Sequence, residues 1–146
     1  MNKTQRLARF MWFSRPLMQR VEEMVRDGLE GSGLTVRMRA VLEVLDAKGA
    51  LSVPDIGREL HIQRQYVQKM VNEVITAGLA EKQPNPKHRS SPLIALTPRG
   101  GAVIRDVLEM EHSKAERLAE RFSDEEVEIA LRVASRLCEE IPRRDR

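Results

Sequence analysis

Residues 52–79 read SVPDIGRELHIQRQYVQKMVNEVITAGL, and two short apolar periodicities within them, set either side of a tight turn, decide the fold. Ser52-x-x-Asp55 is a helix-start signature, because a serine oxygen at the first turn accepts one of the backbone N–H groups that the helix leaves unpaired. Ile56 and Leu60 then fall on one face. Val67, Val71 and Val74 stand at i, i+4 and i+7, so a second helix begins near Gln63, and Gly78 stops it. Only about three residues separate the two helices, which must therefore cross steeply. That is the geometry of a helix-turn-helix, whose second helix is free to enter a major groove.

Removing the valine stripe leaves Arg64, Gln65, Tyr66, Gln68 and Lys69 on the outward face of the first two turns. An arginine can take guanine O6 and N7 together and a glutamine adenine N6 and N7. A tyrosine can stack on a sugar or touch a thymine methyl, and a lysine suits phosphate. Any solvated helix can carry such side chains, so the discriminating feature is that no acid occurs from Ile62 to Asn72 in a chain rich in glutamate. Met70 is the one apolar residue expected at the side of this face.

Beyond Gly78, Leu79–Gln83 and Pro92–Thr97 read as the strands of a small antiparallel hairpin, kept short by Pro84 and Pro92. The loop between them is longer than an ordinary hairpin turn and carries Lys87, His88 and Arg89 at its tip. A basic loop of this kind is a wing, able to lie along a phosphate backbone or reach into a minor groove.

Helices flank this unit. Upstream, Leu7, Phe10, Met11, Leu17, Met18, Val21, Val25 and Leu29 recur at helical spacing across residues 4–30. Pro16 either kinks that helix or starts a new one capped by Ser14. Gly31-Ser32-Gly33 breaks the chain, and Thr35 caps a helix that buries Met38, Val41, Leu42 and Leu45 and ends at Lys48-Gly49. Downstream, Thr97-Pro98 opens a helix running to about Arg121, and Ser123-Asp124 opens the last one. The last helix has two stripes, Val127, Leu131, Ala134, Cys138 and Ile141 on one side and Ile129, Val133 and Leu137 on another. Its own domain is expected to cover one stripe, and a second subunit the other. Cys138 is then a buried interface residue, and Phe10, Trp12, Phe13 and Met18 are expected to serve core packing.

The chain has 146 residues, 41% hydrophobic and 32% charged, with one cysteine, so one soluble domain spanning 1–146 in a reducing, cytoplasmic setting is expected. The apolar run Phe10–Phe13 is too short for a signal core or a membrane span. Net charge is only +3, but it is unevenly placed. Residues 63–99 hold 6 basic and 2 acidic residues, a net +4, whereas residues 102–146 hold 9 basic and 12 acidic, a net −3. A basic middle beside an acidic tail region points to a polyanion-binding face carried on a separate scaffold.

The order and spacing of Gly33-Leu34-Thr35, Leu51-Ser52 through Leu60, Arg64 with Val67 and Val71, Gly78-Leu79, Asn85-Pro86 and Leu96-Thr97-x-x-Gly100 resemble the MarR family over about two-thirds of the chain. The resemblance implies a mainly α fold with a small antiparallel β-hairpin. Residues 34–100 would form a winged helix-turn-helix, and residues 4–30 and 101–141 the dimerisation helices. It further implies a homodimer on double-stranded DNA, mostly a repressor at a pseudo-palindromic operator, often released by a small hydrophobic or aromatic effector. Arg89 matches the family's minor-groove arginine, but His88 stands where the family wing usually carries an aspartate that helps to hold it.

Enzymatic readings find little support. His61, His88 and His112 are scattered, a single cysteine cannot make a CxxC pair, and there is no glycine-rich phosphate loop. No cofactor or metal is expected, His61 is read as a turn residue, and His112 as part of a solvated helix face. The alternative from another class is a winged-helix protein-interaction module that has lost DNA binding. Such a module should show acids or apolar residues on the helix after Gln63.

Overall fold

The apolar stripes close into helices in the computed structural model, which describes residues 1–143. In chain order these are α1 (Lys3–Gly28), α2 (Val36–Lys48), β1 (Leu51–Ser52), α3 (Val53–Leu60), α4 (Arg64–Thr76), β2 (Ala80–Gln83), β3 (Leu93–Leu96), α5 (Pro98–Ala119) and α6 (Asp124–Glu140). Two compact bodies result, Met1–Glu111 and the remainder from His112.

The first body holds the core. Val41 and Leu42 of α2, Ile56 of α3, Val67, Val71 and Val74 of α4, Ile94 of β3 and Ile104 of α5 are all fully buried. Thr35 caps α2, its side chain accepting the Met38 N–H at 3.2 Å, so the expected stripe Met38, Val41, Leu42 and Leu45 turns inward as a unit. Met70 is not at the side of the outward face. It is only 3% exposed, because i+3 from Val67 completes the same buried stripe.

The expected hairpin forms, with Ala80 opposite Leu96 and Gln83 opposite Leu93. A third strand not foreseen from the sequence joins it. Leu51 pairs with Ile94 and Ser52 with Leu93, giving the antiparallel order β1-β3-β2. The hairpin's central strand is thereby fixed to the residue that opens α3. Across the other side of this body, Arg39 of α2 reaches Glu111 of α5 with two parallel hydrogen bonds of 2.6 and 2.5 Å and also meets Glu43 at 2.5 Å. The Arg39 and Glu111 side chains are 16% and 18% exposed, and the hydrogen bond to Glu111 is the main reason the Arg39 guanidinium is held charged more firmly than usual.

α1 is one uninterrupted helix through Pro16. Ser14 caps nothing there, since its hydroxyl donates to the Met11 carbonyl at 2.6 Å. The cap is Asn2, which accepts the Gln5 N–H while the Gln5 side chain accepts the Asn2 N–H, both at 2.9 Å.

One expectation for the flanking helices is overturned. Phe10, Trp12, Phe13 and Met18 are 41%, 76%, 59% and 56% exposed rather than packed in the core. α6, opened by a Ser123–Glu126 capping box, has no fully buried residue: Val133 and Leu137 of one stripe are half-buried, and Val127, Leu131, Ala134 and Cys138 of the other are exposed. Cys138 is exposed in the single chain. The buried core is drawn from α2 to α5 and the strands, with Leu29 and Leu34 beside them.

Candidate nucleic-acid interface

The outward face of α4 is presented by structure on both of its ends. Before it, Ser52 accepts the Asp55 N–H at 3.3 Å and donates to the Asp55 carboxylate at 3.0 Å, starting α3 where β1 ends. α3 closes in a left-handed residue, His61 at φ 56°, and the Ile62 N–H returns to the Gly57 carbonyl at 3.1 Å. That turn runs so close to α3 that a Cβ on Gly57 would lie 3.1 Å from the Ile62 carbonyl oxygen. His61 is thus a turn residue, as its position in the sequence indicated.

After α4 the chain reverses through Gly78, at φ 74°. The Leu79 N–H bonds to the Val74 carbonyl and the Gly78 N–H to the Ile75 carbonyl, both at 2.9 Å, which is a Schellman end. Thr97 then ties this end to α5. Its hydroxyl donates to the Gly78 carbonyl at 2.8 Å and accepts the Gly100 N–H at 3.0 Å, and its own N–H reaches the Leu79 carbonyl at 3.1 Å. The approach is so tight that a Cβ on Gly100 would sit 1.8 Å from the Leu79 oxygen. The Gly-Leu and Leu-Thr-x-x-Gly segments of the sequence are therefore two halves of one joint.

Between these fixed ends, Arg64, Gln65, Tyr66, Gln68 and Lys69 are all exposed, and Val67, Met70, Val71 and Val74 are all buried. The exposed side chains are partly ordered among themselves. Gln68 Nε2 donates to Asn72 Oδ1 at 3.0 Å, and Lys69 Nζ lies 6.0 Å from the Tyr66 ring centroid, within reach of a weak cation–π attraction.

Lys87, His88 and Arg89 are exposed in the loop between β2 and β3. No acid occurs from Pro84 to Pro92, and Asn85 organises the loop instead. Its Oδ1 accepts the Lys87 N–H at 3.0 Å, its carbonyl accepts the His88 N–H at 3.2 Å, and its Nδ2 donates to the Ser91 carbonyl at 2.9 Å, closing the loop at its base. A nearby acid lies on α3. A hydrogen bond from Arg58 first, and the Ser52 hydroxyl second, hold the Asp55 carboxyl below its ordinary range, and the Lys87 charge adds to the effect. Asn72 and Asn85 were not singled out from the sequence as functional. The i+4 spacing of Gln68 and Asn72, and the Asn-Pro turn signal, were the clues to them.

A steep two-helix turn followed by a basic loop on a three-stranded sheet defines the winged-helix class. Comparison with known proteins gives the family. The MarR family model matches residues 32–89. A crystal structure of a MarR family transcription regulator is 34% identical, covers 95% of this chain and 97% of that one, and has a TM-score of 0.82. The chain belongs to the MarR family of transcription regulators. The fold is also that of Streptococcus pneumoniae FabT, solved in complex with DNA, at 16% identity with 90% and 94% of the two chains covered and a TM-score of 0.79. An uncharacterised protein of Mycobacterium tuberculosis is 45% identical over 60 residues, a stretch spanning 41% of this chain and 42% of that relative's length. Among the described residues no helix is long and apolar enough to cross a membrane.

Proposed function

We propose that this regulator binds DNA in a sequence-specific way as a homodimer, and represses transcription from a pseudo-palindromic operator. The observation that carries the reading is the exposed face of α4, with Arg64, Gln65, Tyr66, Gln68 and Lys69 outward and every apolar side chain of its first two turns inward. Arg64, Gln65 and Gln68 read base edges, Tyr66 touches sugar or a thymine methyl, and Lys69 meets phosphate. Lys87, His88 and Arg89 lie against the backbone or in the adjacent minor groove. FabT, of the same fold, is a DNA-bound relative, which supports this use of the fold. The interaction-module reading loses its one candidate, Met70, to the core.

Dimerisation through residues 4–30 and 101–141 is supported by apolar surface. α1 and α6 have 26 and 17 residues without a buried one between them, and isolated helices of such length gain most of their stability from packing. A second copy supplies that cover. Release by a small hydrophobic or aromatic effector rests on the family resemblance alone.

The test is footprinting of the purified chain on DNA flanking its own gene, with affinity measured against salt. A protected inverted repeat, bound by a dimer with affinity falling steeply as salt rises, is expected. Sedimentation as a monomer at micromolar concentration, or binding indifferent to salt, overturns the proposal.

A further inference from the structure

We infer that Asn72 is a specificity-determining positioning residue: it holds the Gln68 carboxamide in one of its two orientations, so that α4 offers a fixed donor–acceptor pair to a single base. The inference rests on α4 being the groove-reading helix and deepens that reading by one residue.

Arg64, Gln68 and Asn72 follow each other at i, i+4 and i+8 on the exposed side of α4, with Val67 and Val71 buried behind them. Successive members of such a line rise by about 6 Å along the helix axis, which exceeds one base step. Asn72 is therefore displaced along the groove from any base that Gln68 reads. It touches Gln68 itself, Nε2 to Oδ1 at 3.0 Å.

A free glutamine carboxamide can turn over, exchanging its donor and acceptor edges, and then reads no base consistently. Asn72 Oδ1 accepts one of the two Nε2 hydrogens, so turning Gln68 over alone would set Oε1 against Oδ1, acceptor against acceptor, and Gln68 can flip only if Asn72 flips with it. What remains free on Gln68 is Oε1 and one N–H. That is the pair a bidentate contact to adenine needs, Oε1 accepting from N6 and N–H donating to N7. In water the constraint is weak, but a groove contact excludes water and leaves the carboxamide little alternative partner. Asn72 contributes nothing to the buried face of α4, so its effect belongs to base preference rather than to folding.

The experiment is selection of bound duplexes from a randomised library by the full-length wild type and by Gln68→Ala, Asn72→Ala and Asn72→Asp. Relative affinities are then measured by anisotropy on the selected duplex and its single-base variants, with circular dichroism melting run on each protein. Wild type should prefer adenine at the position whose preference Gln68→Ala relaxes. Asn72→Ala should melt as wild type and lose about 3- to 10-fold of that preference at that one position, the scale of a net hydrogen bond. Asn72→Asp keeps the acceptor and cannot turn over to become a donor, so it should keep or sharpen the preference while binding every duplex more weakly through repulsion from phosphate. Asn72→Ala with the wild-type preference, or with equal losses on all duplexes, overturns the inference and leaves the role of Gln68 standing. Gln68→Ala with wild-type preference at every position overturns both.

Discussion

Replacing Gly100 by alanine sets two effects of opposite sign against each other. Gly100 lies in the first turn of α5, where alanine is the better helix former by about 0.5 to 1 kcal/mol, so propensity alone predicts stabilisation. The new methyl, however, would sit 1.8 Å from the Leu79 oxygen and 2.7 Å from its carbonyl carbon, both backbone atoms that no rotamer change can move. To restore a 3.0 Å contact the two segments must part by about 1.2 Å, the difference between 3.0 and 1.8. That displacement takes the Thr97 hydroxyl out of reach of either Gly78 or Gly100 and stretches the Thr97 N–H bond to Leu79. One or two net hydrogen bonds at about 1 kcal/mol each, added to an overpacking cost of about 1 to 3 kcal/mol, outweigh the propensity gain. The net expectation is a loss of about 2 to 4 kcal/mol, read as a fall in the urea midpoint at unchanged slope. Gly101→Ala is the internal control. There the added methyl meets only the guanidinium end of Arg105, at 3.0 Å, and that side chain, 65% exposed and held by a loose 3.7 Å ion pair to Asp46, can swing aside. Neutrality or a gain of up to about 1 kcal/mol is expected from it. A Gly100→Ala protein as stable as wild type, or a Gly101→Ala protein damaged equally, would refute the reasoning.

The Arg39–Glu111 pair yields a different pattern. Glu111→Ala should cost about 2 kcal/mol by urea unfolding, because the mostly buried guanidinium loses two charged hydrogen bonds and keeps only Glu43, whereas Arg39→Met with Glu111→Leu should be nearly neutral; equal losses in both proteins would contradict this. Ser52→Ala removes the α3 cap and should cost about 1 kcal/mol in the same assay, a result within error of zero counting against the capping role. On DNA, Arg64→Ala or Gln65→Ala should lose about 1 to 3 kcal/mol on the operator and blur one base position, whereas Lys69→Ala should weaken operator and random duplexes alike. Equal losses on both DNAs from Arg64→Ala would remove it from base reading. Finally, the Asp55 carboxyl is lowered by Arg58, so the stability it contributes is complete above about pH 5 and is lost as pH falls through the carboxylate range. Asp55→Asn should therefore show a smaller fall in melting temperature between neutral and acid pH than wild type, and an identical fall would exclude the contribution.

Legibility in the sequence followed the range of the interactions. α2, α3 and α4 were readable nearly to the residue because caps, apolar stripes and stop glycines act within one or two turns: Thr35, Ser52 and Gly78 each do locally what their side chains, or the lack of one, dictate. β1 was not readable. A two-residue strand has no alternation to detect, and Leu51 becomes a strand only because Ile94 is available to pair with it. Gly100 was visible as a letter in a family pattern, but its steric reason is the Leu79 carbonyl, which no local periodicity brings near. The apolar residues of α1 failed in the opposite way. Hydrophobicity marked Trp12 and Phe13 for burial, and the rule that apolar residues go inside does not say inside which assembly.

Under the proposed function, the fixed ends of α4 are what would make it a reading head rather than a solvated helix. Ordering a flexible side chain on binding costs about 0.5 to 1.5 kcal/mol, and moving the backbone that carries it costs more. Here the backbone is settled beforehand from both directions, by the turn through His61 against Gly57 and by the joint of Gly78, Leu79, Thr97 and Gly100. The joint also links the end of α4 to β2 on one side and α5 on the other, so the helix and the strand that leads into the wing share one anchor. Asn85 then closes the wing on its own backbone without an acid in the loop, and the nearby carboxylate that feels the Lys87 charge is Asp55 of α3. In such a unit, affinity and base choice are carried by different atoms. Under the proposed function the wing and Lys69 would supply charge that any duplex can use, and Arg64, Gln65 and Gln68 geometry that only one sequence satisfies.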